Sequence, residues 1–209
     1  MNTNVRVFFE KKGRAIYISH LDLYRVFQRA VKRCKLPVWE TQGFNPHVYI
    51  TFALPLALGV EGVCESLDTK LTEELSPEEV KDRLNSALPA DIRVLRVAEQ
   101  VYKPTEIEKS EYEINIDCDF SLLTEFFNQE HIITEKKTKK GISEIDLKPY
   151  IELLEIREGF IRMRLPSGTE FNINANLVFD AFEKQYNAEI VGMTIKRVGI
   201  YCKNGEIFA

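Results

Sequence analysis

Residues 19–47 read SHLDLYRVFQRAVKRCKLPVWETQGFNPH. Ser19 is placed to cap a helix, because its hydroxyl can accept a bond from an unpaired backbone N–H. Asp22, three residues on, completes an approximate capping box and suits the positive end of the helix dipole. Leu23, Val26, Phe27, Ala30, Val31 and Cys34 recur at three- and four-residue steps, which makes one apolar face. Arg25, Arg29 and Arg33 fall four residues apart on another edge. Pro37 disfavours helix for the residue before it, so the helix stops ahead of Lys35 and Leu36. Residues 37–41 then read as a short strand leading to a Gly-Phe-Asn-Pro-His loop at 43–47.

Working outward, residues 5–10 are β-branched and aromatic and read as a first strand, with residues 15–18 extending again after a Lys-Lys-Gly turn. Residues 49–53 are extended, and residues 64–71 alternate as a strand. Ser76, Pro77, Glu78 and Glu79 open a second helix, with Val80, Leu84, Ala87 and Leu88 on its inner face. Residues 92–98 form another strand. The order is β-α-β-β-α-β, the ferredoxin-like unit. Residues 100–110 are charged, lack a period and contain Pro104, which places a domain boundary there.

The pattern then recurs. Strands are expected at 111–117, 132–136, 142–147, 153–156, 160–165 and 195–202, and helices at 120–128 and 176–186. Between the second and third of these strands runs the basic turn Lys136, Lys137, Thr138, Lys139, Lys140 and Gly141. The expectation is an α+β chain of two tandem ferredoxin-like halves with antiparallel sheets. The first spans residues 1–100 and the second, longer by insertions, residues 111–209.

Composition limits what such a chain can be. A 44% hydrophobic content supports a real core, and a formal charge of −4 excludes a globally basic nucleic-acid binder while allowing local patches. Cys34, Cys64, Cys118 and Cys202 form no CxxC pair, which argues against a zinc knuckle or a cluster loop and for reduced thiols in a cytoplasmic protein. Residues 1–4 are a short polar leader, not a signal peptide, and no apolar run is long enough to span a membrane. Phosphate-loop, dinucleotide, nucleophile-elbow and HExxH motifs are all absent, so no cofactor and no metal are expected.

Four groups remain as site candidates. Arg25, Arg29 and Arg33 offer guanidinium forks to phosphates, or else form a solvated helix edge. His20, Asp22 and His47 can be a general acid–base set, an incomplete metal site, or groups that fix loops through hydrogen bonds. Phe44 and Asn45, with Trp39, Tyr49 and Phe52 nearby in sequence, can supply stacking surfaces for single-stranded RNA. Trp39 and Phe52 also suit a core, and Phe44 suits it least. Lys137, Lys139 and Lys140 can contact a nucleic-acid backbone or form a solvated hairpin tip.

The run Ser19-His20-Leu21-Asp22-Leu23 with Arg25 and Arg29, Leu36-Pro37, Gly43-Phe44-Asn45-Pro46-His47, Phe52-Ala53-Leu54-Pro55-Leu56 and Gly59-Val60 resembles the radical SAM-associated family of bacterial proteins. Ser76-Pro77-Glu78 and residues 144–147 after the lysine turn also fit it. Members of that family carry a domain of unknown function and are encoded beside, or fused to, a cobalamin-binding radical SAM enzyme. One departure is Val48, where a second proline would follow His47. The chain also lacks a cluster-binding cysteine triad, so it resembles the associated protein and not the radical enzyme. The resemblance implies an accessory role, with a radical SAM enzyme as partner. Three functions follow as expectations: an RNA-binding or substrate-presenting accessory protein, a metal-independent ribonuclease using His20 and His47, or a module that docks the radical enzyme.

Overall fold

The computed structural model describes residues 3–138, 141–168 and 171–209. β1 (Thr3–Lys11) is followed by a 3-10 turn at Gly13–Tyr17, not by the further extended segment expected at residues 15–18. Gly13 sits at φ +55°, and any side chain there would collide with the Asp91 carboxylate. Ala15 N–H then returns to the Lys12 carbonyl, so the turn closes on itself instead of running on as a strand.

α1 (His20–Arg33) begins as its sequence dictates, with the Asp22 N–H donating to Ser19 Oγ at 3.1 Å. Leu23, Phe27 and Val31 pack against Val5, Val7 and Phe9 of β1. The helix ends where Lys35 takes a left-handed φ of +51°. Residues 37–41 make only isolated bridges, Val38 to Leu71 and Glu40 to Val48, in place of the expected strand. β2 (Ile50–Phe52) is short, and β3 (Val60–Leu71) begins four residues earlier than its alternation signals. α2 (Pro77–Ala87), capped by Ser76, and β4 (Ile92–Ala98) complete the first half.

The second half comprises β5 (Ile107–Asp117), α3 (Phe120–Asn128), β6 (Ile133–Thr138), β7 (Gly141–Asp146), β8 (Glu152–Arg157), β9 (Phe160–Pro166), α4 (Ala175–Tyr186) and β10 (Gly192–Cys202). A 3-10 turn at Lys148–Tyr150 follows β7. β5 starts inside the charged stretch 100–110, where Ile107 is buried under Ile200 and Phe208.

The result is a mixed α+β protein with four helices among the described residues and a large, mostly antiparallel sheet. The sheet order is β4-β1-β3-β10-β5-β9-β8, with β2 also on β3 and β6-β7 a separate hairpin. The order β4-β1-β3-β2 is matched by β10-β5-β9-β8. The halves join where Val60, Glu61 and Gly62 of β3 pair in parallel with Ile195, Lys196 and Arg197 of β10. Beyond that point Ile50, Thr51 and Phe52 of β2 take the same edge of β3. None of the helices in the described residues is long and apolar enough to cross a membrane.

Both helix pairs lie on one face of the sheet. Val60 and Ile195 belong to the core beneath α3 and α4, while Leu67 and Phe9 belong to the core beneath α1 and α2. An irregularity opposite Phe9–Lys11 lets Gly62 and Glu65 share that face. The other face carries its own buried ion pairs. Arg6 is fully buried, donates to both Asp68 oxygens at 2.7 and 3.0 Å, and stacks 4.1 Å from the Phe208 ring.

Glu111 on the same face accepts from Arg162, Arg164 and Tyr201. Burial alone would raise its carboxyl, but the bonds from Arg164, Tyr201 and Arg162 outweigh that and hold it below the usual carboxylate range. The unfolded chain therefore binds the proton first, and the stabilisation is present above the unfolded value and lost as pH falls through the folded one. Urea unfolding of wild type and Glu111→Gln should differ most above about pH 5, and the difference should shrink steadily as pH falls below the free-carboxylate value of about 4.3. A difference that stays constant down to pH 3 would assign the bonds no such role.

Candidate nucleic-acid interface

α1 presents Arg25, Arg29, Lys32 and Arg33 to solvent. Four residues of helix advance about 6 Å, so Arg25, Arg29 and Arg33 are spaced evenly along one edge. Arg25 is tied to Asp22 at 3.0 Å. Arg29, Lys32 and Arg33 make no ion pair among the described residues, which leaves three cations for a ligand. Asp22 serves the helix start instead of a ligand: hydrogen bonds from Ser19 and then Arg25 hold its carboxyl below the usual range.

The loop at residues 42–46 is pinched at its base. Thr41 N–H donates to the His47 carbonyl at 2.9 Å, and His47 N–H donates to Thr41 Oγ1 at 3.1 Å. The His47 ring Nδ1 lies 2.9 Å from Thr41 Oγ1 and 3.2 Å from the Asn45 carbonyl. Gly43 takes φ +137°, which an L side chain rarely adopts. The closed loop holds Phe44 out with its whole ring in solvent (106% relative exposure) and leaves Asn45 exposed beside it. Trp39 and Tyr49 pack edge to face at 5.7 Å behind the loop base. Phe52, partly buried, packs against the core with Phe9, Phe27 and Tyr24 around it.

His20 and His47 belong to different networks. The His20 ring lies edge-on to Phe52 at 5.0 Å. Burial and the nearby Lys11 charge, against Glu65, hold its imidazole below the usual histidine value. No hydrogen bond joins it to His47 or Asp22 among the described residues. No group of three potential metal ligands clusters among them either. Of the lysine turn, Lys137 lies in β6, and Lys139 and Lys140 lie outside the described residues. The neighbouring Lys136 is engaged, donating to the Asn172 carbonyl at 2.7 Å and covering Phe171.

A second charged group escapes the sequence pattern at first sight. Lys11, Glu65 and Arg197 are buried on the helix face where β1, β3 and β10 meet. Arg197 Nε donates to Glu65 at 2.9 Å, Nη2 bonds the same carboxylate, and Nη1 reaches the Pro55 carbonyl at 3.1 Å. Gly62 is required beside them, because any Cβ there would strike the Glu65 carboxylate. The available signal was parity: Lys11 alternates with Val7 and Phe9, Glu65 with Leu67, and Arg197 with Ile195, so each charge occupies a core position of its strand.

No curated protein matches the chain. Among solved structures, 94% of the chain overlies 48% of a chain in the crystal structure of a Cbf5-Nop10-Gar1 complex, at 14% identity and a TM-score of 0.42. The chain thus spans about half the length of that neighbour. It also overlies an unknown protein from Galdieria sulphuraria, covering 95% of this chain and 99% of that one at 16% identity and a TM-score of 0.31. A family model matches residues 4–175, and the chain belongs to that family, the uncharacterized proteins conserved in bacteria known as DUF2344.

Proposed function

We propose that this protein is a non-catalytic, RNA-binding or substrate-presenting accessory protein that works with a radical SAM enzyme in the cytoplasm. One observation carries the RNA reading: an exposed arginine edge whose Arg29 and Arg33 make no ion pair among the described residues, with a fully exposed Phe44 on a closed loop. Guanidinium groups suit backbone phosphates, and an exposed ring suits an unstacked base. The separate surroundings of His20 and His47 favour binding over ribonuclease chemistry. The partnership with a radical SAM enzyme is supported by the motif resemblance. Four free cysteines suit a reducing compartment. The same reading takes the two halves as ferredoxin-like units, supported by their matching strand orders.

The test is retention of labelled single-stranded RNA by the full chain. Retention should fall steeply and log-linearly between about 50 and 200 mM salt. Absence of retention at the low end removes the RNA reading. Fragmentation of the RNA, abolished by His47→Ala, would replace it with the ribonuclease.

A docking role has its own support. Gly59 N–H donates to the Ile16 carbonyl at 2.9 Å, which brings two loops together. Tyr17 and Leu58 flank that bond and Leu21 follows in the first turn of α1, each more than half exposed. Such apolar side chains suit a protein surface. A pull-down that retains the radical enzyme and no RNA selects this role.

A further inference from the structure

The charged row at the junction of the halves is not neutral. Arg6 is matched by Asp68, and Glu111 by Arg162 and Arg164. Arg197 is matched by Glu65. Lys11, at 1% exposure, has no ion pair among the described residues, and its ammonium finds only the Ile16 carbonyl at 3.5 Å. The row of Lys11, Glu65 and Arg197 therefore holds one positive charge in excess in a place with little access to water. Burying an unbalanced charge is costly, and an anion beside the row would relieve it.

A cavity of about 140 Å³ lies beside Arg197 on this face. Pro55 and Leu56 line one side and Asn172 and Asn174 another. Asn174 is the N-cap of the twelve-residue α4, so the cavity adjoins the positive end of that helix. Tyr112 also lines it. This side chain is 5% exposed, and its hydroxyl makes no hydrogen bond among the described residues. Arg197 uses three N–H directions on Glu65 and Pro55, leaving two of its five donors unspent.

We propose that this cavity is a binding site for a phosphate group, held by the spare donors of Arg197 and the Tyr112 hydroxyl at the N-terminus of α4. A phosphate offers several acceptor oxygens and the missing negative charge, which is what the donors and the excess cation require. The site is separate from the arginine edge of α1 and stands without it. The group can belong to the backbone of a bound RNA or to a free phosphate ester.

The probe is inorganic phosphate added to the full chain, read by melting temperature and by phosphorus-31 line broadening, with chloride at equal ionic strength as the control. Wild type should show a saturable response. Tyr112→Phe, which keeps the ring, should weaken it about tenfold, as expected for one bond to a charged group. Ala57 also lines the cavity, and Ala57→Asp, which places a carboxylate on its wall, should abolish the response. If one variant fails to fold, the other carries the test. No saturable response in wild type, or an undiminished response in a folded variant, overturns the proposal. Displacement of phosphate by an RNA oligomer assigns the site to backbone phosphate, and displacement by adenosine monophosphate alone assigns it to a free ester. Either result upholds the site.

Discussion

Replacing Arg197 with alanine should lower the unfolding free energy by about 3–5 kcal/mol, the usual cost of leaving one partner of a buried ion pair alone. Both groups are almost without solvent access, Arg197 and Glu65 each at 2%. The substitution strands the Glu65 carboxylate beside Gly62, with Lys11 too distant to form an ion pair. It also removes the bond to the Pro55 carbonyl, which fixes the segment joining β2 to β3 at the seam of the two halves. In a chain of this size the melting temperature should fall by roughly 6–20 °C, at about 2–4 °C per kcal/mol. The double variant Arg197→Met with Glu65→Leu should recover most of the loss, because two apolar groups need no partner. The exposed pair Arg157–Glu155 gives the contrast: its removal should change stability by about 0–1 kcal/mol. Equal effects at the two pairs in urea unfolding would mean that burial does not set the energetics of the seam.

The elements that could be read from residues alone are those whose signals are local. α3 runs over Phe120–Asn128 as read, with Asp119 Oδ1 accepting from the Ser121 and Leu122 N–H groups. α2 and β4 likewise follow from a Ser-Pro-Glu-Glu start and a β-branched run. Misreadings fall where a distant contact decides. The turn at Gly13–Tyr17 depends on Asp91, from the loop before β4. The early start of β3 depends on β10, which arrives more than a hundred residues later to pair with Val60, Glu61 and Gly62. Ile107 to Ser110 looked like linker because its charges mask a strand, yet Ile107 and Ser110 are buried by neighbours from β9, β10 and the C-terminal segment. The same division holds for the candidate sites. The arginine edge is visible as a four-residue step, and the salt bridge from Asp22 to Arg25 as a three-residue one. Parity marks Lys11, Glu65 and Arg197 one at a time as core positions, but the row they make is not visible, because it needs three strands side by side before the odd charge can be counted.

The arginine edge leads to the largest functional expectation. Converting Arg25, Arg29 and Arg33 together to glutamine should weaken single-stranded RNA binding by about 10²-fold or more near 50 mM salt, since each phosphate contact on a single strand contributes a salt slope of about −0.7. At about 0.7 per contact the slope itself should flatten by roughly 1.5, short of the roughly 2 that three free arginines would give, because Arg25 is already paired with Asp22 at 3.0 Å. Stability should hardly move, because these side chains are exposed and the buried face of the helix is Leu23, Phe27, Ala30 and Val31. Asp22→Asn separates the contributions: it frees Arg25 and should steepen the slope, while weakening the helix start that Ser19 and Asp22 share. Phe44→Ala should act differently from the arginines. It removes a fully exposed ring that contributes nothing to the core, so it should cost about 1–3 kcal/mol of binding with the salt slope unchanged. Loss of affinity in the triple variant without a change in slope would show that the edge acts through the shape of α1 and not through charge, and phosphate contact along this helix would have to be abandoned.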